Sequence, residues 1–333
     1  MDNKVFLSVV MPMFNSEQTI IKALDSLNNQ TDKDLELILV DDGSTDNSYE
    51  IAKNYLESSN FKYDICKVEN RGQSSARNLG IKKASAEYIL FLDSDDYINE
   101  KLVEVTKDAA RRSNPEIVVY DYQRVNKDYT LRNNFKQGFA FFNNISPGME
   151  IFEAYKNNQL RLWTASLIYR RDFIEDNKLE FVEEAHAMED LNFIFKSLWN
   201  STKVKVIDEV LAYYYQREDS LTNKGSLEKN ITVLESIDDL IATSRKKVLG
   251  LDFERIIERE FAVEHIMYLI LGNLNSNNKN EILEILNQKR VKNYLNEGIR
   301  KTNRYGRSMY IWSKIALYAP KLFIFLYLKK TGK

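Results

Sequence analysis

The stretch that decides the fold is Tyr88–Asp96, YILFLDSDD. Its first five residues, 88–92, are almost continuously apolar, and three of the four residues that follow are carboxylates. Such a run predicts a strand that is buried on both faces, as in a parallel sheet, and that ends where the chain reaches water. Ligands of open α/β sheets bind outside the carboxyl ends of the strands, and clustered carboxylates suit a hard cation such as Mg²⁺ or Mn²⁺. The stretch therefore predicts a divalent-metal site that receives a phosphate-bearing substrate.

Three more buried strands are predicted before this one, at residues 5–11, 35–40 and 63–68. Amphipathic helices are expected between them, and Pro12 is expected to end the first strand. Four strands with short helical connections imply a parallel sheet with right-handed crossovers. The first strand is followed by Asn15 and the second by Asp41 and Asp42. If the strands are parallel, these polar ends meet Asp93–Asp96 along one edge of the sheet.

The remainder of the chain is predicted to continue the sheet and then to become helical. Further strands are expected at 117–122, 163–169 and 204–215, and helices at 100–112 and 189–199. Residues 126–146 are polar and Asn-rich, which is typical of an irregular insertion. We expect an α/β domain over residues 1–222 and a helical region over 223–333.

Composition excludes several kinds of chemistry. The chain of 333 residues has one cysteine and two histidines, which argues against zinc sites and against Cys–His or Ser–His catalysis. Acid–base work is therefore expected to fall to carboxylates. A net charge of −2 gives no general attraction for nucleic acid. The N-terminus lacks the pattern of a signal peptide and no stretch predicts a transmembrane span, so we expect a cytoplasmic protein.

The last part of the chain combines apolar, aromatic and basic residues. From Gly298 to Lys333 there are nine Lys or Arg residues and no acid. One interpretation is a helix packed on the rest of the protein. The interpretation that we favour is an amphipathic segment, about residues 303–333, that lies on the anionic inner face of the plasma membrane.

Five motifs together resemble a known family. They occur in family order between residue 8 and about residue 216: SVVMPMFNSEQTI, LVDDGSTDNS, NRGQSSARNLGI, FLDSDDYI and MEDLNFIFK. The chain resembles the family 2 inverting glycosyltransferases of the GT-A fold, of the bacterial cell-surface polysaccharide type. The resemblance implies a GT-A (Rossmann-like), mostly parallel α/β sheet flanked by helices, followed by a C-terminal helical region.

The resemblance also implies roles for individual residues on the donor side. The residues that would bind the donor nucleotide are Pro12, Phe14, Asn15, Asp41, Asp42, Arg77, Asp93, Ser94 and Arg217. Either Asp41 or Asp42 would accept a hydrogen bond from the base, and we favour Asp42 because side chains alternate direction at a strand end. Asp93 would approach the ribose.

Metal binding and catalysis are implied for two further carboxylates. Asp95, with Asp93, would hold Mn²⁺ or Mg²⁺ against the diphosphate. Asp190 would be the general base that removes the proton of the acceptor hydroxyl. Each has a structural alternative, because an acidic turn can simply be solvated and acidic residues favour the first turn of any helix.

The sequence therefore predicts an enzyme, a glycosyltransferase of the hexosyltransferase type. The donor would be a nucleotide sugar, with UDP-sugars as the expected class, and the acceptor a hydroxyl of a cell-surface glycan or a lipid-linked saccharide. Two alternatives remain at this point, a sugar-nucleotide pyrophosphorylase and a non-catalytic nucleotide-sugar-binding module. The motifs give no information about the oligomeric state.

Overall fold

A computed structural model of the protein describes residues 5–126, 130, 131, 139, 145–216, 227–246, 256–298 and 306–332. These residues fall into two compact units. The first unit takes the described residues of Met1–Tyr155, Gln159–Glu183 and Phe193–Lys224. The second takes those of Lys156–Asn158, Glu184–Asn192 and Gly225–Lys333.

Nine described strands form one sheet: β1 (Leu7–Met13), β2 (Leu35–Asp41), β3 (Lys62–Lys67), β4 (Tyr88–Phe91), β5 (Tyr97–Ile98), β6 (Ile117–Val125), β7 (Ile145–Ser146), β8 (Leu167–Arg170) and β9 (Val204–Tyr215). The helices along this part of the chain are α1 (Ile20–Asn28), α2 (Ser48–Leu56), α3 (Gln73–Lys83), α4 (Leu102–Ser113), α5 (Gly148–Lys156), α6 (Arg171–Asp176) and α7 (Glu189–Asn200).

The strand order is β3-β2-β1-β4-β8-β6-β9-β5, with β7 also paired to β9. The first four strands in this order are mutually parallel, as predicted. Strand β8 runs antiparallel to both β4 and β6, whereas β9 runs parallel to β6. Strands β5 and β7 are antiparallel to β9, so six of the nine described strands share one direction. The carboxyl ends of β1, β2, β4, β6 and β9 therefore lie on the same edge of the sheet.

Burial on both faces explains the apolar runs of the central strands. All seven residues of β1 and all seven of β2 are buried. Because successive side chains point to opposite faces, Val9 and Leu37 enter a core together with residues of α1 and α4. Val10 points to the other face, where α3 packs so closely that Gly80 lies against it. Continuous hydrophobic strands are what a sheet covered on both faces requires.

Pro12 does not end the first strand, contrary to the sequence prediction. Strand β1 continues to Met13, and Pro12 pairs in register with Val40 of β2. Proline lacks an N–H group and is tolerated where no neighbour needs it. On the side of β4 the ladder has already stopped, because its last pair joins Val10 to Phe91. The missing donor therefore costs no hydrogen bond of the sheet.

Several short elements were not predicted from the sequence. They are β5, β7, α5 and α6, and the strand expected from Trp163 begins only at Leu167 because Thr164–Ser166 form a 3₁₀ turn. Two-residue strands are too short to show an alternating pattern. The turn is held by the Ser166 hydroxyl, which donates to the carbonyl of Trp163 at 2.8 Å.

The second unit is helical throughout its described residues beyond 226. Its helices are α8 (Leu227–Ile231), α9 (Val233–Lys246), α10 (Ala262–Asn273), α11 (Lys279–Asn287), α12 (Lys289–Glu297), α13 (Arg307–Tyr318) and α14 (Pro320–Thr331), and a π-helical turn, Ile257–Phe261, precedes α10. Within the described residues, no helix has both the length and the apolar character needed to cross a bilayer.

Candidate functional site

The site expected from the sequence lies at the carboxyl ends of β1, β2 and β4. Asn15 joins the first two of these ends. Its backbone N–H donates to the Ser44 hydroxyl at 3.0 Å, and its side-chain oxygen accepts from the Thr45 N–H at 2.9 Å. Asn15 has a φ of +49°, a conformation that asparagine adopts more readily than most residues. Asn15 therefore fixes the polar loop after β2 to the end of β1.

Asp42 holds the loop that leads into α3. Its two carboxylate oxygens accept the backbone N–H groups of Arg71 and Gly72, each at 2.8 Å. Gly72 has a φ of +92°, which residues with a side chain rarely adopt. A carboxylate has about four lone-pair sites, so these two bonds leave Asp42 able to accept a further donor.

Asp41 is fully buried and is bound on both sides of its carboxylate. One oxygen accepts the Ser44 N–H at 3.1 Å, and the other lies 3.5 Å from the ammonium group of Lys67. A buried carboxylate is tolerated when hydrogen bonds and an opposite charge replace water. Both aspartates of the pair therefore have structural contacts of their own.

Arg77 is brought to the end of β4 by α3. The side chain is only 1% exposed, so Arg77 is not a solvated arginine on a helix surface. Its guanidinium donates to Asp93 at 2.6 Å and to the side chain of Gln73 at 3.2 Å. It also lies 5.2 Å from the centre of the Phe181 ring, and Phe181 is in turn held by two hydrogen bonds with the Asn78 amide. This pairing neutralises one carboxylate of the acidic run.

The other residues of the run have different environments. Ser94 is buried, and its hydroxyl lies 2.7 Å from the hydroxyl of Ser16, which joins the ends of β1 and β4. Asp96 is also buried and accepts the backbone N–H of Tyr215 at 2.7 Å. Asp95 is partly exposed in the turn that the Asp96 N–H closes by donating to the carbonyl of Asp93 at 3.0 Å.

Nothing in the local sequence assigns a site role to Asp96 or Ser16. Asp96 ties the acidic turn to the last residue of β9, which is 119 positions later in the chain. No local pattern marks such a contact. The one signal in the sequence for its burial is its position between two strands, β4 before it and β5 after it.

The acidic turn fits a divalent cation that is completed by ligand oxygens. Within the described residues, no three or more His, Cys, Asp or Glu side chains are grouped so that they could hold a metal ion alone. Mg²⁺ needs only one or two protein carboxylates when phosphates and water supply the other oxygens, and Mn²⁺ accepts the same hard donors. Asp95, with the partly exposed Asp93, offers such a pair at the edge of the sheet.

Phe14 and Pro12 differ in their accessibility. Pro12 is buried within β1, whereas the Phe14 side chain is 43% exposed directly after the strand. An exposed ring at a strand end can stack on a flat ligand. Of these two residues, only Phe14 therefore exposes a side chain on which a ligand can stack.

Asp190 belongs to the second unit, where α9 fixes the segment that carries it. The Asn192 amide donates to the carbonyl of Ser236 and to Asp239, each at 2.9 Å, and the Ser236 hydroxyl donates to the carbonyl of Ala187 at 3.0 Å. Asp190 lies in the first turn of α7 and accepts the backbone N–H of Leu191 at 2.7 Å. The supporting residues Asn192 and Ser236 were not identified from the sequence.

Met188, just before the acidic pair, is held in an unusual conformation. It has a φ of +63°, which costs energy for a residue with a side chain, and its carbonyl accepts the Asn192 N–H at 2.9 Å. Met188 thus occupies the capping position of α7.

Arg217, the remaining donor-site prediction, lies outside the described residues, as does most of the predicted insertion at 126–146.

An aromatic cluster lies at the carboxyl ends of β6 and β9. The Trp163 ring is 5.3 Å from Tyr122 and 5.2 Å from Tyr214, measured between ring centres. Trp163 is 9% exposed and Tyr122 is 8% exposed, so both rings belong mainly to the core. Tyr214 is only partly buried, and the Arg124 guanidinium lies 5.8 Å from its ring centre.

Comparison with protein families gives one clear assignment. The model of glycosyl transferase family 2 matches residues 8–177, which is half of the chain. The uncharacterized glycosyltransferase EpsJ of Bacillus subtilis is 33% identical over 219 residues, which cover 65% of this chain and 62% of EpsJ. The poly(ribitol-phosphate) beta-N-acetylglucosaminyltransferase TarS of Staphylococcus aureus is 32% identical over 215 residues, which cover 62% of this chain and 35% of TarS. The chain thus spans less than two thirds of these relatives.

Solved structures agree on the fold over nearly the whole chain. A crystal structure of residues 1–349 of S. aureus TarS in complex with UDP-GlcNAc matches with a TM-score of 0.70 and 21% identity, covering 98% of this chain and 92% of that chain. The same part of TarS in complex with UDP matches with a TM-score of 0.68. The GT-A fold that the sequence predicted is confirmed.

Proposed function

This chain belongs to glycosyl transferase family 2, and from that premise we propose that it transfers a sugar from a nucleotide sugar to a hydroxyl group with inversion at the anomeric carbon. UDP-sugars are the donor class that we propose, because the TarS structures of the same fold contain UDP or UDP-GlcNAc. The acceptor that we propose is a cell-surface glycan, such as a capsule polysaccharide, or a lipid-linked saccharide.

The observation that carries the proposal is the Arg77–Asp93 pair at the edge of the sheet. The buried Arg77 guanidinium lies 2.6 Å from Asp93 and fixes this partly exposed carboxylate at the end of β4. A carboxylate fixed there can help to hold a divalent cation, and phosphate oxygens complete the coordination of such a cation. Asn15, Asp42 and Phe14 lie at the neighbouring ends of β1 and β2, where we propose that they receive the base and ribose.

Asp95 and Asp93 are the residues that would hold Mn²⁺ or Mg²⁺. When bound, such a cation supplies Lewis-acid neutralisation of the charge that builds on a departing diphosphate. The residues of this chain contribute the positioning: Arg77 orients Asp93, and the turn closed by the Asp96 N–H sets the direction of Asp95.

Asp190 is the general base that we propose. A carboxylate that accepts the proton of the attacking hydroxyl contributes typically ~10²–10⁴-fold to the rate. Its position in the first turn of α7 favours the ionised form, because a helix N-terminus carries partial positive charge. The hydrogen bonds of Asn192 and Ser236 hold this turn in place. Inversion needs one such base and no covalent intermediate, which suits a chain with so few cysteines and histidines.

Release of UDP tests the reaction. The protein is incubated with a panel of UDP-sugars and Mn²⁺, with membrane extract as a source of acceptor, and free UDP is measured. We expect release with at least one donor, its loss in EDTA, and its recovery on adding Mn²⁺. Asp95→Ala should behave as the EDTA-treated protein does, whereas the exposed Asp176→Ala should not. Absence of release with every donor, or activity that EDTA leaves unchanged, would contradict the mechanism.

A second measurement tests the base and separates an enzyme from a binding module. Asp190→Asn should lose turnover by about 10²-fold or more while its affinity for UDP stays within about twofold of the wild type. Glu184→Gln, an exposed change in the same segment, is the control and should retain full turnover. Full turnover by Asp190→Asn would remove the base assignment.

We also propose that the protein works at the inner face of the plasma membrane. The absence of acids from Gly298 onward, together with nine basic residues, supports a peripheral contact with anionic lipid. A lipid-linked acceptor would be presented at the same surface.

A further inference from the structure

Helices α13 and α14 form a hairpin joined at Ala319, called here the α13–α14 hairpin. One face of the hairpin packs on the other helices of the second unit. Helix α13 contacts α10 and α12, and α14 contacts α11. The Trp312 ring lies 5.6 Å from Phe323 and 6.1 Å from Tyr327, and the Tyr327 hydroxyl donates to the carbonyl of Leu271 at 2.8 Å. The hairpin is therefore a docked part of the helical unit.

Lys314 belongs to this docked face. Its ammonium group donates to the carbonyls of Leu295 and Asn296, each at 2.8 Å. These carbonyls are in the last turn of α12, where a helix has acceptors without partners and partial negative charge. Burial lowers the pKa of Lys314. This lysine therefore serves the internal packing of the second unit and is not available to a partner.

The opposite face of the hairpin exposes large apolar side chains. Ile311 is 48% exposed and Tyr318 is 75% exposed, and they lie seven positions apart on one face of α13. Leu322 is 51% exposed and Phe325 is 60% exposed, three positions apart on α14. On each helix the exposed pair lies opposite the buried residues, which are Ser313 and Ala316 on α13 and Phe323 and Ile324 on α14. The two exposed pairs are together called the apolar surface of the hairpin.

Basic residues surround this surface. Lys329 lies four positions after Phe325 on the same face of α14, and Lys321 lies four positions before Phe325. Both are exposed, as is Arg307 at the start of α13. Since the sequence has no acid between Gly298 and Lys333, nothing along this segment offsets their charge. The surface therefore combines apolar insertion with positive charge.

The geometry limits what such a surface can do in lipid. A helix of 12 residues is about 18 Å long, against about 30 Å for the hydrocarbon core of a bilayer. Neither helix can cross it. Apolar side chains on one face with lysines beside them are instead the arrangement of helices that lie in the plane of the interface.

We propose that the exposed face of the α13–α14 hairpin lies flat on an anionic lipid surface, with Ile311, Tyr318, Leu322 and Phe325 inserted among the acyl chains and Lys321 and Lys329 against the headgroups. This inference rests on the membrane association proposed above and specifies which face makes it. The competing occupant, the same face of a second copy, would bring like charges together, which disfavours pairing.

The test is co-sedimentation of the full chain with vesicles. Vesicles of phosphatidylcholine alone are compared with vesicles that contain one quarter phosphatidylglycerol. The wild type should bind the anionic vesicles more tightly, by about fivefold for each lysine that contacts the surface. Raising the salt concentration should reduce this difference, because salt screens exposed charges.

Two double variants separate the apolar and the charged contributions. L322S/F325S should weaken binding to anionic vesicles about tenfold or more. K321Q/K329Q should remove most of the preference for anionic over neutral vesicles. The control is I21S/Y63S, which also removes one exposed aliphatic and one exposed aromatic side chain, from the first unit, and should bind as the wild type does. Thermal unfolding and the affinity for UDP should be unchanged in all three variants.

The outcomes distinguish the surface from the association itself. If the wild type binds vesicles and L322S/F325S binds equally well, the exposed face of the α13–α14 hairpin is not the lipid-binding surface, although the protein does associate with membranes. If the wild type binds neither kind of vesicle, both proposals fail. If light scattering shows a dimer that L322S/F325S converts to a monomer, and no vesicle binding is seen, the face joins two copies and the lipid proposal is overturned.

Discussion

Arg77 is a buried charged residue of the strand-end site. Its guanidinium is buried, and it meets Asp93 at 2.6 Å while packing against the Phe181 ring. A buried charge is stable only when it is paired, so each member of the pair depends on the other. The pair couples local stability to the position of the acidic turn.

Replacing Arg77 by lysine should therefore affect both properties. Lysine keeps the charge but loses the planar group that reaches Asp93 and Gln73 together. We expect the free energy of unfolding to fall by about 1–3 kcal/mol and the affinity for UDP to fall as well. Chemical denaturation and titration with UDP measure the two effects.

The matched control is Arg111→Lys. Arg111 meets Glu87 at 2.9 Å, but its side chain is 56% exposed, and surface pairs contribute only about 0–1 kcal/mol. Equal losses of unfolding free energy in the two variants would show that the Arg77–Asp93 pair contributes no more than a surface pair.

Asp42 and Asp41 can be distinguished by base preference. If Asp42 accepts the N3–H of uracil, an asparagine there can donate to the unprotonated N3 of cytosine instead. Asp42→Asn should then lower the ratio of UDP affinity to CDP affinity by about tenfold. Asp41→Asn should leave the ratio unchanged, because that carboxylate is bound to Ser44 and Lys67.

The same variants report the structural role of the pair. Asp42→Asn should also lower the free energy of unfolding by about 1–2 kcal/mol, since only one of its two accepting oxygens remains for Arg71 and Gly72. A shift of base preference in Asp41→Asn, and none in Asp42→Asn, would reverse the assignment.

At the scale of elements, the contact of α3 with β1 decides where Arg77 lies. A Cβ atom at Gly80 would come within 2.2 Å of a methyl group of Val10. No larger residue fits there unless the strand or the helix moves. The glycine thus sets the distance between helix and sheet, and Arg77, one turn earlier, depends on that distance.

Gly80→Ala should destabilise the protein by about 1–3 kcal/mol through this overlap, despite the better helix propensity of alanine. Adding Val10→Ala should recover part of the loss, because the methyl group in the way is removed. Denaturant unfolding of the two single variants and the double variant gives the coupling. Additive losses would contradict the overlap.

Gly272→Ala is the control for helix propensity alone. This glycine is in α10, and a Cβ there would meet nothing within 4 Å. Its replacement should be neutral or stabilise the protein by about 0.5–1 kcal/mol. A loss as large as that of Gly80→Ala would mean that the glycines of α3 and α10 do not differ.

At the scale of the molecule, a buried carboxylate connects strands across the first unit. Glu36 of β2 accepts the Ser8 hydroxyl of β1 at 2.7 Å and the Ser85 N–H before β4 at 2.8 Å, and it lies 3.1 Å from Lys62 of β3. Burial alone would raise the pKa of Glu36. The hydrogen bonds together lower the pKa by more than burial raises it, so the pKa lies below its ordinary value of 4.5.

This shift makes stability depend on pH. A carboxyl group whose pKa is lower in the folded state stabilises that state above its unfolded pKa and loses this effect as the pH falls through the folded value. The difference in free energy of unfolding between wild type and Glu36→Gln should be constant above about pH 5 and shrink below pH 4.5. Unfolding curves between pH 3 and 7 measure it.

The control for this pH dependence is Glu57→Gln, an exposed change after α2. It should differ little from the wild type at any pH. A Glu36→Gln difference that stays the same from pH 7 to pH 3 would mean that the network does not hold the ionised form.

Much of the fold followed from the sequence alone. The parallel order of β1 to β4 and the gathering of Asn15, Asp42 and Asp93 at one edge follow from continuous apolar runs that end in polar residues. Burial on both faces imposes that pattern on neighbouring residues, so it can be read locally. Motif order then indicated the family, which the family model confirms over residues 8–177.

Only the tertiary structure decided how the strand-end residues are used. The burial of Arg77, the two bonds of Asp42, the tie between Asp96 and Tyr215, and the inward turn of Lys314 each join residues that are apart in the chain. The acidic run YILFLDSDD predicted a carboxylate cluster, and the fold pairs Asp93 with Arg77 and Asp96 with the backbone of Tyr215. Side-chain periodicity fixes which face a residue lies on, whereas its partner depends on which distant segment packs against that face.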